Sequence, residues 1–103
     1  MKENTAFEKI RVKTVVKADS PFNINHMHNV YLCDATVGQI ILNLKSIGHT
    51  ITIIKSDASA NSVRISGSIE YTSTLTYYDL TTRGKAVTLI PQSGNTWRII
   101  AIN

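Results

Sequence analysis

Every apolar run in this chain alternates, and none keeps a helical period for as long as about ten residues. The stretch from Thr50 to Ile65 shows this most clearly. Ile51 and Ile53 point one way and Thr50 and Thr52 the other, the period of two that a half-buried strand needs. Val63 and Ile65 repeat the pattern, with Ser62 and Arg64 facing out. Ser56 to Asn61, between them, is small or polar. It holds Asp57 and Asn61, residue types that hydrogen-bond their own backbone and favour turns. The β-branched side chains are stiff at χ1 and suit a pleated surface. The stretch predicts a β-hairpin.

The remaining runs follow the same rule. From Ile10 to Lys17, Ile10, Val12, Thr14 and Val16 share one face, and Arg11, Lys13 and Lys17 share the other. Only Val15 interrupts the polar face, and lysines facing outward suit an edge strand. Val30 to Ala35 sets Val30 and Leu32 against Tyr31 and Cys33. Gln39 to Leu44 turns Ile40, Leu42 and Leu44 inward. Ser66-Gly67-Ser68 reads as a turn. Ile69 to Tyr71, Leu75 to Tyr77, Lys85 to Ile90 and Trp97 to Ile102 read as strands, with a strong turn signal at Pro91 to Asn95. The expected fold is all-β, a compact sandwich or jelly-roll-like domain. Ile41, Ile54, Ile90, Ile100 and Ile102 remain as apolar residues on second faces. They need a further partner, most simply another copy of the chain.

Composition bounds function more than it reveals it. The 103 residues fit one domain. The net charge is +4, but the eleven Lys and Arg are scattered. A solvated basic surface is the expectation, and nucleic acid is not the expected partner. Cys33 is the one cysteine, so no internal disulfide forms. No run approaches the ~18 apolar residues of a membrane helix, and the first residues lack a signal-peptide core.

Catalytic signatures are absent. No nucleophile elbow accompanies the Ser, His and Asp residues, and Asp34 and Asp57 sit where turns place Asp. No enzyme and no cofactor is expected. His26 and His28 are the single metal-like pair. Two ligands from one chain are too few for a closed site, although three chains around an axis would supply more. Tyr71, Tyr77, Tyr78 and Trp97 are of a kind that stacks bases or sugars, and more often anchors cores and interfaces.

Read together, several pieces resemble a β-structured module of bacteriophage head fibres, tail fibres and tailspikes. They are Val30-Tyr-Leu-Cys-Asp-Ala35, Ile40-Ile-Leu-Asn-Leu44, the Thr52 to Ile65 segment with Lys55, Asp57, Asn61 and Val63, Gly84-Lys-Ala-Val-Thr-Leu89, and Ser93-Gly-Asn-Thr-Trp97. The resemblance spans about residues 29–103 in order. Lys45 stands where the module usually has proline, and its glycine-rich segment is reduced to Gly67.

The resemblance implies a virion surface protein, a short trimeric head fibre or capsid decoration protein with a host-adhesion role. The chain reads as a small separate gene product, made in the bacterial cytoplasm and located on the virion. Residues 29–103 form the fibre-like domain. Residues 1–28 supply a polar lead-in, the first strand and an attachment arm in which Ile10, Val12 and Val16 contact a capsid or other virion protein. Trp97, Ile100 and Ile102 are the expected trimer interface, and a host-surface glycan is a candidate ligand. The competing reading is a small basic β-barrel of the oligonucleotide-binding type.

Overall fold

The structure is a computed structural model that describes residues 9–103. Among these lie nine strands: β1 (Val12–Val16), β2 (Phe22–Asn23), β3 (Val30–Asp34), β4 (Ile40–Asn43), β5 (Ile51–Lys55), β6 (Val63–Glu70), β7 (Thr74–Leu80), β8 (Ala86–Pro91) and β9 (Thr96–Ile102). The all-β expectation holds. The polar lead-in from Met1 to Ala6 lies outside the described residues.

The chain winds between two layers. β1, β3 and β5 pair side by side and parallel in one layer. β2, β4 and β6 do the same in the other. Val12, Val30 and Thr52 stand in register in the first layer, and Phe22, Leu42 and Ile65 in the second. Consecutive strands therefore lie in opposite layers and meet through their inner side chains. The last third of the chain seals one end. β8 runs antiparallel to β5, β9 antiparallel to β8, and β9 parallel to the second half of β6. β7 folds back along β6. The sandwich is closed at the β8–β9 end, and its sheet terminates at β1 and β2.

Three local expectations need correction. The hairpin at Thr50 to Ile65 does not form, because β5 pairs with β3 and β8 while β6 pairs with β4, β7 and β9. The connecting segment is an arch from one layer to the other. Alternation identified the inward residues correctly, since Ile51, Ile53, Val63 and Ile65 are fully buried. It does not say which neighbour a strand's edge will find.

The second correction concerns β1. Val15, the exception in the pattern, is the buried residue, and Ile10, Val12 and Val16 are exposed. Arg11 and Lys13 share the inward face with Val15 and are half-buried. β1 ends the sheet, so long cationic stems can cover the margin of the core while their heads reach water. The Lys13 ammonium lies 5.7 Å from the centre of the Phe22 ring.

The third concerns Ser66-Gly67-Ser68, which is no turn. β6 runs through it with an irregularity between Ser66 and Ile69. β7 follows one edge of β6, so β4 and then β9 occupy the other. Gly67 sits at this handover with φ 153°, and a Cβ there would lie 3.0 Å from Leu44 Cβ. Only glycine permits that approach.

Candidate functional site

The arch after β5 carries the most concentrated polar chemistry. Lys55 has the sequence parity of Ile51 and Ile53, so the strand turns it inward, where it is fully buried. Its Nζ donates to Asp57 Oδ2 at 2.8 Å. Asp57 also accepts from the Ala35 amide at 2.7 Å, from the Ser59 amide at 3.0 Å and from the Ser59 hydroxyl. Asn61 Nδ2 donates to the Ala35 carbonyl at 2.9 Å, and Ser56 Oγ to the Cys33 carbonyl at 3.0 Å. These bonds fasten the arch to the turn that follows β3. They also explain why an arch forms: its backbone has no strand partner, and side chains satisfy the buried polar groups instead.

The cluster is built to stay as it is. Burial pushes the Asp57 carboxyl upward, but the bonds from Lys55, Ser59 and the backbone outweigh it and hold the group well below the usual carboxylate range. An ionised carboxylate so fully engaged is a poor base and a poor acid at neutral pH. Burial, and then the Asp57 charge, push the nearby Cys33 thiol up to about 12, which leaves it protonated and unreactive.

The two outer faces offer more to a partner. On the β2–β4–β6–β7 layer the outward polar residues satisfy one another, with Ile41 an aliphatic side chain among them. Arg64 grips Asp79 with two bonds, Nε–Oδ1 at 2.8 Å and Nη2–Oδ2 at 2.9 Å. Its guanidinium lies 3.9 Å from the centre of the Tyr77 ring. Asn43 Nδ2 donates to Asn23 Oδ1 at 3.0 Å.

On the β1–β3–β5–β8 layer the register aligns two outward rows. One is Val12, Val30, Thr52, Thr88 and the other is Thr14, Leu32, Ile54, Ala86. Neither row contains a charge. The Thr52 and Thr88 hydroxyls bond each other at 3.1 Å. A groove of about 290 Å³, lined by Ile10, Asn29, Val30, Thr50 and Thr52, notches this face. Its size lies at the lower end of the ~300–1,000 Å³ of small-molecule pockets.

The structure disperses the residues singled out by sequence. Trp97 is buried in its own chain's core and presents no surface to a second chain. Ile100 is 53% exposed and Ile102 is 37% exposed. Ile100 is extruded because Thr88 pairs with Ala101 and Leu89 with Ile99, which leaves Ile100 between them without a partner. Ile10, Val12 and Val16 are exposed; Val12 and Val16 belong to β1, which is bonded into its own sheet, and Ile10 precedes it. The Asn29 side chain ties it further, donating to the Lys9 carbonyl and accepting from the Arg11 amide.

His28 Nδ1 pairs with Asn25 Oδ1 at 3.1 Å, and the His26 carbonyl lies 3.3 Å from His49 Nε2. Among the described residues no group of three or more His, Cys, Asp or Glu is placed to hold a metal. Tyr71 and Tyr77 are exposed, and Tyr78 packs against the core. Sequence reasoning missed Lys55 as a core residue, though its parity marks it. It also missed Val30 and Leu32 as surface residues of consequence, though apolar groups on both faces of β3 are the signal. The chain matches no protein-family model and no curated protein.

Proposed function

We propose that this chain is a structural protein of the bacteriophage virion surface, a short trimeric head fibre or capsid decoration protein with a role in host adhesion. The observation that carries the reading is the uncharged, apolar outer face of the β1–β3–β5–β8 layer, on a chain whose ordered motifs resemble the phage fibre module. Surfaces of that kind belong to chains that assemble. The cationic side chains give less support to an oligonucleotide-binding barrel. Lys55 is buried on Asp57, Arg64 is paired with Asp79, and Arg11 and Lys17 bond the carbonyls of Met27 and Gln39. Each engaged cation is one fewer for phosphate.

Attachment to the particle is assigned to the N-terminal segment, with residues 1–8 as the part to remove. Cutting further would delete β1 and its buried Val15. The first test is molar mass by light scattering. A trimer supports the reading. A monomer that binds single-stranded DNA at physiological salt, and loses that binding on Tyr77→Ala, replaces it with the barrel. The second test is decoration of purified particles. The chain lacking residues 1–8 remains trimeric and no longer decorates; decoration that survives the deletion removes the assigned attachment role.

A further inference from the structure

We infer that the outer face of the β1–β3–β5–β8 layer, centred on Val12, Val30, Leu32 and Ile54, is where further copies of this chain pack. The inference rests on the self-assembly part of the proposed function and moves the contact away from the C-terminal strand. Three observations favour a copy of the chain over other occupants.

The first is chemistry. Both central rows are uncharged, and the Thr52 and Thr88 hydroxyls are already paired. A glycan or a nucleic acid finds neither charge nor a ring of free donors there. An apolar sheet of the same flat, largely β-branched kind fits, since two such faces pack about 10 Å apart with side chains interleaved.

The second is the margin. Asp34 pairs with Val16 at one end of the face, and Arg98 with Ile90 at the other. An apolar centre with charges confined to the rim is the anatomy of a protein interface.

The third is size. Val12 is 51% exposed and Ile10 72%. With the half-buried side chains between β1 and β8, the face offers on the order of 500 Å², so two copies apposed through it bury about 1,000 Å², the threshold for a specific interface, and close as a pair, whereas three copies around an axis share the same area.

The β1 edge is a weaker alternative. The Val30 amide donates to the Arg11 carbonyl at 3.2 Å, so the Val12 and Thr14 backbone groups face away from β3. That edge would accept a strand, but inward-pointing Arg11 and Lys13 guard it as charges guard exposed edges elsewhere.

The test compares the wild-type chain with Val12→Lys/Leu32→Lys and with Tyr77→Lys on the opposite face. Light scattering and far-ultraviolet circular dichroism are read at matched concentration. The expected result is an oligomeric wild type, an oligomeric Tyr77→Lys, and a β-folded double variant with the mass of one chain. A folded double variant of unchanged oligomeric mass overturns the inference and leaves the proposed function standing. A wild type that is monomeric at every accessible concentration overturns the inference together with the trimeric reading.

If the double variant does not fold, Val12→Cys decides. Cys33 is buried and unreactive, so alkylation reports position 12 alone. Packing at this face slows alkylation at least tenfold between dilute and concentrated protein. A rate independent of concentration, in a chain that light scattering shows to be assembled, overturns the inference.

Discussion

On the β2–β4–β6–β7 layer, outward Arg64 is held by Asp79 and stacked on Tyr77, and Asn43 is held by Asn23. On the β1–β3–β5–β8 layer, outward Val30 stands between Val12 and Thr52, and Leu32 beside Ile54, with no charged residue in either row. Both layers bury alternate residues to the same depth, so the inner core does not account for the contrast. Satisfaction does. A polar outer face completes its own bonds and can meet water unchanged. An apolar outer face has no such internal bonds, and covering it by another copy is what the proposed packing would accomplish. The outer faces therefore tell more about what this domain does than the core, which reports only that it folds.

Both faces rest on the arch after β5, so the largest effect is expected there. Asp57→Ala leaves the Lys55 ammonium buried without its partner and should cost about 3–5 kcal/mol of stability. Chemical denaturation of the monomeric or assembled chain measures it. Adding Lys55→Met should recover part of the loss. Recovery will be incomplete, because the Ala35 and Ser59 amides still lack an acceptor.

The same carboxylate sets an acid limit on both faces. Its folded-state pKa is depressed, so its stabilisation is fully present above the ordinary carboxylate value of about 4 and is lost as pH falls below it. Thermal melts at pH 7 and pH 5 should differ little through this group. Melts from pH 4 downward should fall steadily, and less steeply in the Lys55→Met/Asp57→Ala chain.

Gly67→Ala should separate the layers. The added Cβ meets Leu44 where β6 passes from β4 to β9, in the polar layer alone. A loss of about 1–3 kcal/mol is expected. Hydrogen exchange should quicken first in β4, β6 and β9 and leave β1 and β3 protected. Exchange that quickens equally in both layers would mean that they unfold as one unit and that the contrast is confined to their surfaces.

The smallest effect should come from the polar face itself. Arg64 and Asp79 are partly open to water, so a double-mutant cycle on Arg64→Ala and Asp79→Ala should return a coupling of about 0.2–1 kcal/mol, weakening with salt. The assembly state should not respond. If it does, the polar face also carries a contact between chains, and the two faces do not divide cleanly into one that assembles and one that meets water.

Periodicity alone established the all-β class, the inward residues of β4, β5 and the first half of β6, and the loops between them; for β3 it separated Val30 and Leu32 from Tyr31 and Cys33 without saying which pair faces the core. Strand alternation is a local property, written by each residue's nearest neighbours in the chain. The loop after β5 was legible as a loop for the same reason, and Lys55 could have been placed in the core by its parity. Tertiary structure was needed for everything that depends on an edge or an end. It made the stretch from Thr50 to Ile65 an arch, because a strand's hydrogen-bonding edge is satisfied by whichever strand arrives beside it, here β3 and β8. It turned Val15 inward and Ile10, Val12 and Val16 outward, because β1 ends the sheet and its cationic stems can cover the core there. It buried Trp97 in its own chain's core, and it extruded Ile100 because a one-residue slip against β8, between Thr88 and Leu89, leaves that side chain without a partner. Hydrophobicity marks a side chain for burial, but the partner that buries it is chosen by residues far away in sequence.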